Sequence, residues 1–271
     1  MDLTKVLPAD CISNIISLTS PKDACRSSSV SSLFKTAEDS DNVWEKFLPQ
    51  DYKDMIAESS SQSFISSLNK KQIFFHLCDH PVLLNDGEMS LGLEKDSGKK
   101  CCILGAKSLA IVLGDTKSYW QWISLPESRF NEVAKLNYVW WLDIKGRVRA
   151  DVLSPGTIYS AFFVYKLEGD HSMADRFVEM SVNNEKSFSG SHRRVILDPS
   201  TTNSIMRKKG RAGRKREDGW MEVEMGDFFN ENGCKGFMEF RLWETNGYIK
   251  DGLIVEGIEF RPKRFGYMMW L

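Results

Sequence analysis

Long apolar runs are missing from this chain. Nowhere in its 271 residues does a stretch approach the ~20 consecutive apolar positions of a membrane-crossing helix. An excess of one charge is missing as well. The 36 basic and 37 acidic side chains leave a formal net charge of −1, which excludes a general pull toward nucleic acid or an anionic membrane. Histidine is scarce, with only His76, His80, His171 and His192, and no Gly-x-Ser-x-Gly elbow, P-loop or dinucleotide fingerprint occurs. Catalytic residues and cofactors are therefore not expected. His76 and His80 share a helix face, but Cys78 between them points elsewhere and no further ligand group is apparent, so no metal is expected.

Cysteine is equally uninformative as a framework. Its six positions (11, 25, 78, 101, 102 and 234) contain no Cys-x-x-Cys pair, and Cys101 and Cys102 are adjacent. That pattern suits free thiols in a reducing compartment rather than disulfides or zinc. Asn-x-Ser/Thr acceptors are absent and Met1–Lys5 is too polar for a signal peptide, so the expected location is cytoplasm or nucleus. What is present is ordinary globular composition, 42% hydrophobic and 27% charged, in a chain long enough for one large domain or two modest ones.

From Leu7 to Pro49 the periodicity predicts short helices. Pro8 suits a first helical position, and Ile12, Ile15 and Ile16 fall at i, i+3 and i+4 to form an apolar stripe with Cys11. Ser20-Pro21 stops that helix, Val30, Leu33, Phe34 and Ala37 form another stripe, and Asp41 reads as an N-cap before Trp44, Phe47 and Leu48. So few residues bury little area alone, and the apolar stripe serves either a core or a partner. The order Leu7-Pro8, the isoleucine triplet, Ser20-Pro21-Lys22-Asp23, Cys25-Arg26, Val30-Ser31, Phe34 and Val43-Trp44 resembles an F-box. That resemblance implies docking on the Skp adaptor of a cullin-based ubiquitin ligase. It carries the adaptor contact onto Leu7, Pro8, Ile12, Ile15 and Ile16, with Trp44 in the contact or in the motif's own core.

Residues 50–69 are serine-rich with little periodicity and read as a linker or a loosely packed helix; 70–79 reads as a helix ended by Pro81. Beyond Asp86-Gly87 the pattern changes to about nine short strands without intervening helices, Leu109–Leu113 among them, which predicts an antiparallel sandwich or jelly roll. The segment 119–149 holds four of the eight tryptophans, and Tyr138–Ile144 reads as the central strand. Trp140, Trp220 and Trp243 are assigned to the core. Glu222 and Glu224 share a strand face that reads as solvated. Arg207, Lys208, Lys209, Arg211, Arg214, Lys215 and Arg216 mark a basic loop, either a solvated surface or a nuclear-import patch. Glu217-Asp218 beside it argues against a nucleic-acid module. Tyr119, Trp120 and Trp122 follow a polar loop, a placement that suits a flat platform for sugar C–H faces.

The segments Tyr119–Trp122, Ser124–Phe130, Trp141–Gly146, Arg216–Glu222 and Gly252–Glu259 resemble the phloem protein 2 domain of Nictaba-like lectins, and the similarity spans most of 80–263. Beside an F-box, this resembles the phloem protein 2-like F-box family of plants. In its lectin members two tryptophans seven residues apart carry binding of N-acetylglucosamine oligomers and high-mannose N-glycans. The second matches Trp120. The first matches Leu113, which has no ring face, so half of that platform is missing. The expected organisation is an F-box helical domain over 1–49, a linker and helix over 50–80, and a β-sandwich lectin-like domain over 81–271. The expected function is a non-catalytic substrate receptor. It would link a Skp adaptor and cullin to a protein or glycoprotein target for ubiquitination and proteasomal degradation. The alternative is a cytosolic or nuclear lectin without a ligase role.

Overall fold

The computed structural model describes residues 7–59, 61–174, 176–184, 187–200, 211–231 and 236–264, with backbone alone at 187–189 and 211. The chain divides into two compact units. One comprises Met1–Leu84 and Leu91–Cys101, the other Asn85–Ser90 and Cys102–Leu271.

The first unit is helical: α1 (Ala9–Ser17), α2 (Pro21–Ser27), α3 (Ser32–Glu38), α4 (Asp41–Phe47), α5 (Tyr52–Ala57), α6 (Gln62–Ser66) and α7 (Lys70–Asp79). Side-chain caps set several starts. Ser20 accepts from the Asp23 amide, Ser31 from the Phe34 amide, and Asn69 with Gln72 forms a reciprocal capping box. Ser40, not Asp41, is the N-cap of α4; the Asp41 carboxylate instead accepts from the Lys70 amide at the start of α7, at 3.0 Å. The core is built on Trp44. Its ring lies 5.5 Å from Phe47 and 5.2 Å from both Phe74 and Phe75, and its indole N–H donates to the Glu38 carbonyl at 2.8 Å. Lys71 closes this corner with 2.7 and 2.6 Å contacts to the Glu38 and Asp39 carboxylates.

The serine-rich stretch, which reads as a linker or a loosely packed helix, folds as the two short helices α5 and α6. Tyr52, Met55 and Ile56 stand at i, i+3 and i+4 and are buried, and Ile65 is fully buried. Three apolar residues at helical spacing suffice to seat a short helix that composition marks as polar. The segment Leu91–Cys101 belongs to the same unit. Gly98 adopts a left-handed φ of 71°, and a Cβ there would come within 2.8 Å of the Phe47 carbonyl, so glycine is required.

The strands in chain order are β1 (Val82–Leu84), β2 (Met89–Leu93), β3 (Lys100–Gly105), β4 (Ala110–Ile111), β5 (Trp120–Ile123), β6 (Val133–Leu136), β7 (Leu142–Arg149), β8 (Thr157–Leu167), β9 (Phe177–Asn184), β10 (Ser187–Ile196), β11 (Arg211–Ala212), β12 (Arg214–Lys215), β13 (Met221–Asn230), β14 (Phe237–Glu244) and β15 (Leu253–Pro262). In the second unit one sheet runs β3-β15-β8-β13-β12, with the β5–β6 hairpin joined to β15; the other runs β11-β10-β9-β14-β7-β4. Phe240 of one sheet meets Phe260 of the other at 4.6 Å, and Phe228 lies 5.5 Å from Phe240. An antiparallel sandwich follows helices, as the strand pattern predicts.

Three local expectations change. The strand expected from Tyr138 begins at Leu142, and β7 lies next to the edge strand β4 rather than at the centre. Val139 is drawn inward by an isolated backbone bridge to Lys250, which leaves Tyr138, Trp140 and Trp141 outside. The strand expected over 109–113 shortens to β4 because Leu113 turns into the left-handed region at φ 60°. Glu222 is not solvated. It is buried beneath Arg214, Arg216 and Arg261, which donate to it at 2.7, 3.1 and 2.8 Å. Burial alone would raise its pKa, but the arginines outweigh it and hold the carboxyl below its usual range.

Glu256 shows the opposite balance. Its carboxyl accepts from the Ser128 hydroxyl and the Arg129 amide, both at 3.3 Å, and burial raises its pKa despite nearby Arg129 and Arg216. A raised carboxyl favours folding fully at acid pH and loses that contribution as the pH rises through its folded pKa. Glu256→Gln keeps an acceptor for both donors and removes the charge. It is expected to raise the unfolding midpoint at pH 7, with the gain shrinking as the pH falls through the carboxylate range. Urea melts at several pH values would test this, and a variant destabilised at every pH would contradict it.

Candidate functional site

Helix α1 carries two apolar stripes rather than one. Ile12 and Ile16 are buried and the Ser13 hydroxyl donates to the Ala37 carbonyl, so this face holds α1 against the unit's own core. Pro8, Cys11, Ile15 and Leu18 fall at i, i+3, i+7 and i+10, and all four are exposed, Leu18 at 86% and Ile15 at 55%. Val30, in the turn before α3, is 64% exposed. Leu7 is half-buried. Of the six residues that the sequence assigns to an adaptor contact, Pro8 and Ile15 face solvent, whereas Ile12, Ile16 and Trp44 are core. Leu18 and Val30 are exposed apolar side chains outside that assignment, and the heptad spacing from Pro8 is the signal that finds Leu18.

The β unit carries a second surface. Trp120 is not an exposed platform: its ring is fully buried and its indole N–H donates to the Val112 carbonyl at 3.2 Å. Leu113 is exposed on the turn beside it. Trp122 is half-buried beneath the Lys107 ammonium, 3.9 Å from the ring centre. Tyr119 is half-buried and starts a ridge of rings. It meets Tyr138 edge-on at 5.3 Å, and Tyr138 meets Trp140 edge-on at 5.5 Å. Tyr138 is 38% exposed and Trp140 49%. The Asn137 amide donates to the Lys117 and Ser118 carbonyls at 3.2 and 3.3 Å, which seats the polar loop against this ridge. Trp140, assigned to the core from sequence, is therefore a surface ring. Tyr138 and Trp140 thus form a partly exposed aromatic surface on which a flat ligand could rest.

Of the basic loop, Arg207, Lys208 and Lys209 lie outside the described residues, as does the side chain of Arg211. Arg214 and Lys215 are exposed, with Arg214 paired to Glu222. Arg216 is 13% exposed and bound by Asp218, Glu222 and Glu259, so its charge is spent within the fold. The His76 and His80 rings lie tilted to each other with centres 4.9 Å apart, and among the described residues no cluster of histidine, cysteine and carboxylate groups could hold a metal.

Two family models match the chain. The F-box domain covers residues 6–46 and phloem protein 2 covers 99–262. Relatives from Arabidopsis thaliana include an F-box protein 47% identical over 263 residues, 96% of this chain and 80% of the relative. They also include the putative F-box protein PP2-B2 (44% identical; 95% of this chain, 83% of the relative) and F-box protein PP2-B10 (44% identical; 95% and 93%). Among solved structures, a carbohydrate-binding module in complex with β-1,4-galactotriose aligns over 59% of this chain and 91% of its own, at a TM-score of 0.30 and 11% identity.

Proposed function

This chain belongs to the family of F-box proteins with a phloem protein 2 domain, and from that membership we propose that it is the substrate receptor of a Skp–cullin ubiquitin ligase. The observation that carries the reading is the division of labour on α1. Ile12 and Ile16 hold the helix in place, and Pro8, Ile15 and Leu18 present an apolar stripe that the described residues leave uncovered. A helix face of this kind suits a hydrophobic groove on a partner. The β unit would hold the target, a protein or glycoprotein, on the ridge of Tyr119, Tyr138 and Trp140. N-acetylglucosamine or mannose units are the glycan chemistry such rings suit. The receptor supplies no bond-making groups of its own; tethering raises the target's effective concentration at the ligase. Free thiols at Cys11, Cys25 and Cys78 support placing it in cytoplasm or nucleus.

The test is capture of a purified Skp adaptor by the full chain. Ile15→Asp combined with Leu18→Asp is expected to weaken capture at least tenfold while thermal stability shifts by no more than about 1 kcal/mol, since both side chains are exposed. Undiminished capture by that variant, or no capture by the parent chain, would overturn the reading. The second outcome would leave the alternative of a lectin without a ligase role, which the aromatic ridge supports by itself.

A further inference from the structure

We propose that the open face of the second sheet carries a separate site for an acidic sugar residue, a uronate. The site is a cleft of about 550 Å³ where Trp243, Tyr248, Arg176, Arg194, Glu179 and Asn246 converge. It lies in the β unit, and its volume falls within the range of small-ligand pockets, about 300–1,000 Å³.

The register builds it. Trp243 of β14 stands opposite Glu179 of β9, which stands opposite Arg194 of β10, so the three form one row on the outer face. Ser181 pairs with both Arg241 and His192, which makes the next row. From that row the His192 ring and the Arg241 guanidinium cover Trp243 at 5.4 and 4.8 Å. The opposite side along the strands, toward Phe177 and the loop after β14, is where the cleft opens. Tyr248 on that loop is 67% exposed and supplies a second ring. The loop is held in place: the Asn246 amide donates to Glu244 at 3.0 Å and its carbonyl accepts from the buried Lys250 ammonium. Two rings on a fixed frame suit the C–H face of a sugar.

The charges select among sugars. Arg194 is committed to Glu179 at 2.6 Å, and the other oxygen of Glu179 lies 2.9 Å from His192 Nε2. Glu179 thus has one oxygen closed off from solvent and the other taken by Arg194, and its fixed negative charge is hostile to a phosphate, which brings several negative charges and few donors. Arg176 differs. It lies 5.1 Å over the Tyr248 ring and donates to the Ile249 carbonyl at 3.2 Å, and no carboxylate among the described residues is paired with it. A guanidinium with donors to spare, beside a ring and the Asn246 residue that lines the same cleft, matches one carboxylate on a polyhydroxylated ring. An acidic peptide would satisfy Arg176 but offers neither the flat C–H face nor the hydroxyl donors.

This site is separate from the ridge and independent of the ligase reading. The test is isothermal titration of the full chain with a glucuronate-containing trisaccharide and with the same trisaccharide after carboxyl reduction. The acidic sugar is expected to bind, and the reduced one at least tenfold more weakly. Arg176→Ala should weaken the acidic sugar at least tenfold and leave the reduced one unchanged, while Arg176→Lys recovers part of the loss. Tyr138→Ala with Trp140→Ala, and separately Ile15→Asp with Leu18→Asp, should leave acidic-sugar binding unchanged. Equal affinity for both sugars, binding of neither, or indifference to Arg176→Ala would overturn the proposal. So would a poly-aspartate peptide that binds more tightly with the same dependence on Arg176.

Discussion

Trp44→Ala is expected to cost about 4 kcal/mol, most of the stability of a helical unit at the low end of the ordinary range. The ring is the largest fully buried side chain of that unit, and three losses coincide when it goes. Phe47, Phe74 and Phe75 lose the surface they pack on, at centroid separations of 5.5, 5.2 and 5.2 Å. The Glu38 carbonyl loses its indole donor. Lys71, 5.4 Å over the ring, loses a face that helps to hold it against the Glu38 carboxylate. Burial raises the pKa of that carboxylate and the Lys71 contact opposes the rise, so a looser Lys71 leaves a buried charge less compensated. Trp44→Phe keeps most of the packing and removes only the indole donor, and is expected to cost about 1–2 kcal/mol. Urea unfolding followed by far-UV circular dichroism measures both. A Trp44→Ala chain that keeps its midpoint but fails to capture the Skp adaptor would move this residue from core to contact.

That distinction was only half legible in the sequence. Motif order located the F-box, and the alternation of strand residues gave the sandwich. Both signals are periodic and survive in a one-dimensional pattern. Which side of a helix stays uncovered is not such a signal. Ile12, Ile15 and Ile16 look equivalent at i, i+3 and i+4, yet only Ile15 escapes burial, because α3 and α4 pack on the side that Ile12 and Ile16 occupy. The aromatic surface was obscured for a related reason. Period two across Tyr138–Ile144 holds only if the backbone stays in one ladder, and the bridge from Val139 to Lys250 breaks it before Leu142. Trp120 and Trp140 then exchange roles: the expected platform ring is buried, and the expected core ring is on the surface. The cleft at Trp243 was beyond reach, since it depends on three strands brought into register from positions 179, 194 and 243.

Lys250→Met should be about as damaging, roughly 4 kcal/mol, despite preserving volume. The ammonium has no exposed surface. It donates to the Trp140 carbonyl at 2.7 Å and to the Asn246 carbonyl, and lies 2.5 Å from the buried carboxylate of Glu244. Methionine fills the space but strands a buried negative charge and two carbonyls. Most of the cost lies in the stranded charge, so Lys250→Met combined with Glu244→Gln should recover more than 1 kcal/mol relative to the single variant. Equal losses in single and double variants would show that the charge is not what the lysine answers. The consequence reaches both surfaces of the β unit, because the ammonium joins their backbones: Trp140 belongs to the aromatic ridge and Asn246 to the cleft. Amide exchange should therefore accelerate at Val139 and Lys250, whose backbones pair at 2.9 and 2.8 Å. Protected amides there after the substitution would mean the ridge is held by the ladder alone, and the two surfaces would then have no common anchor.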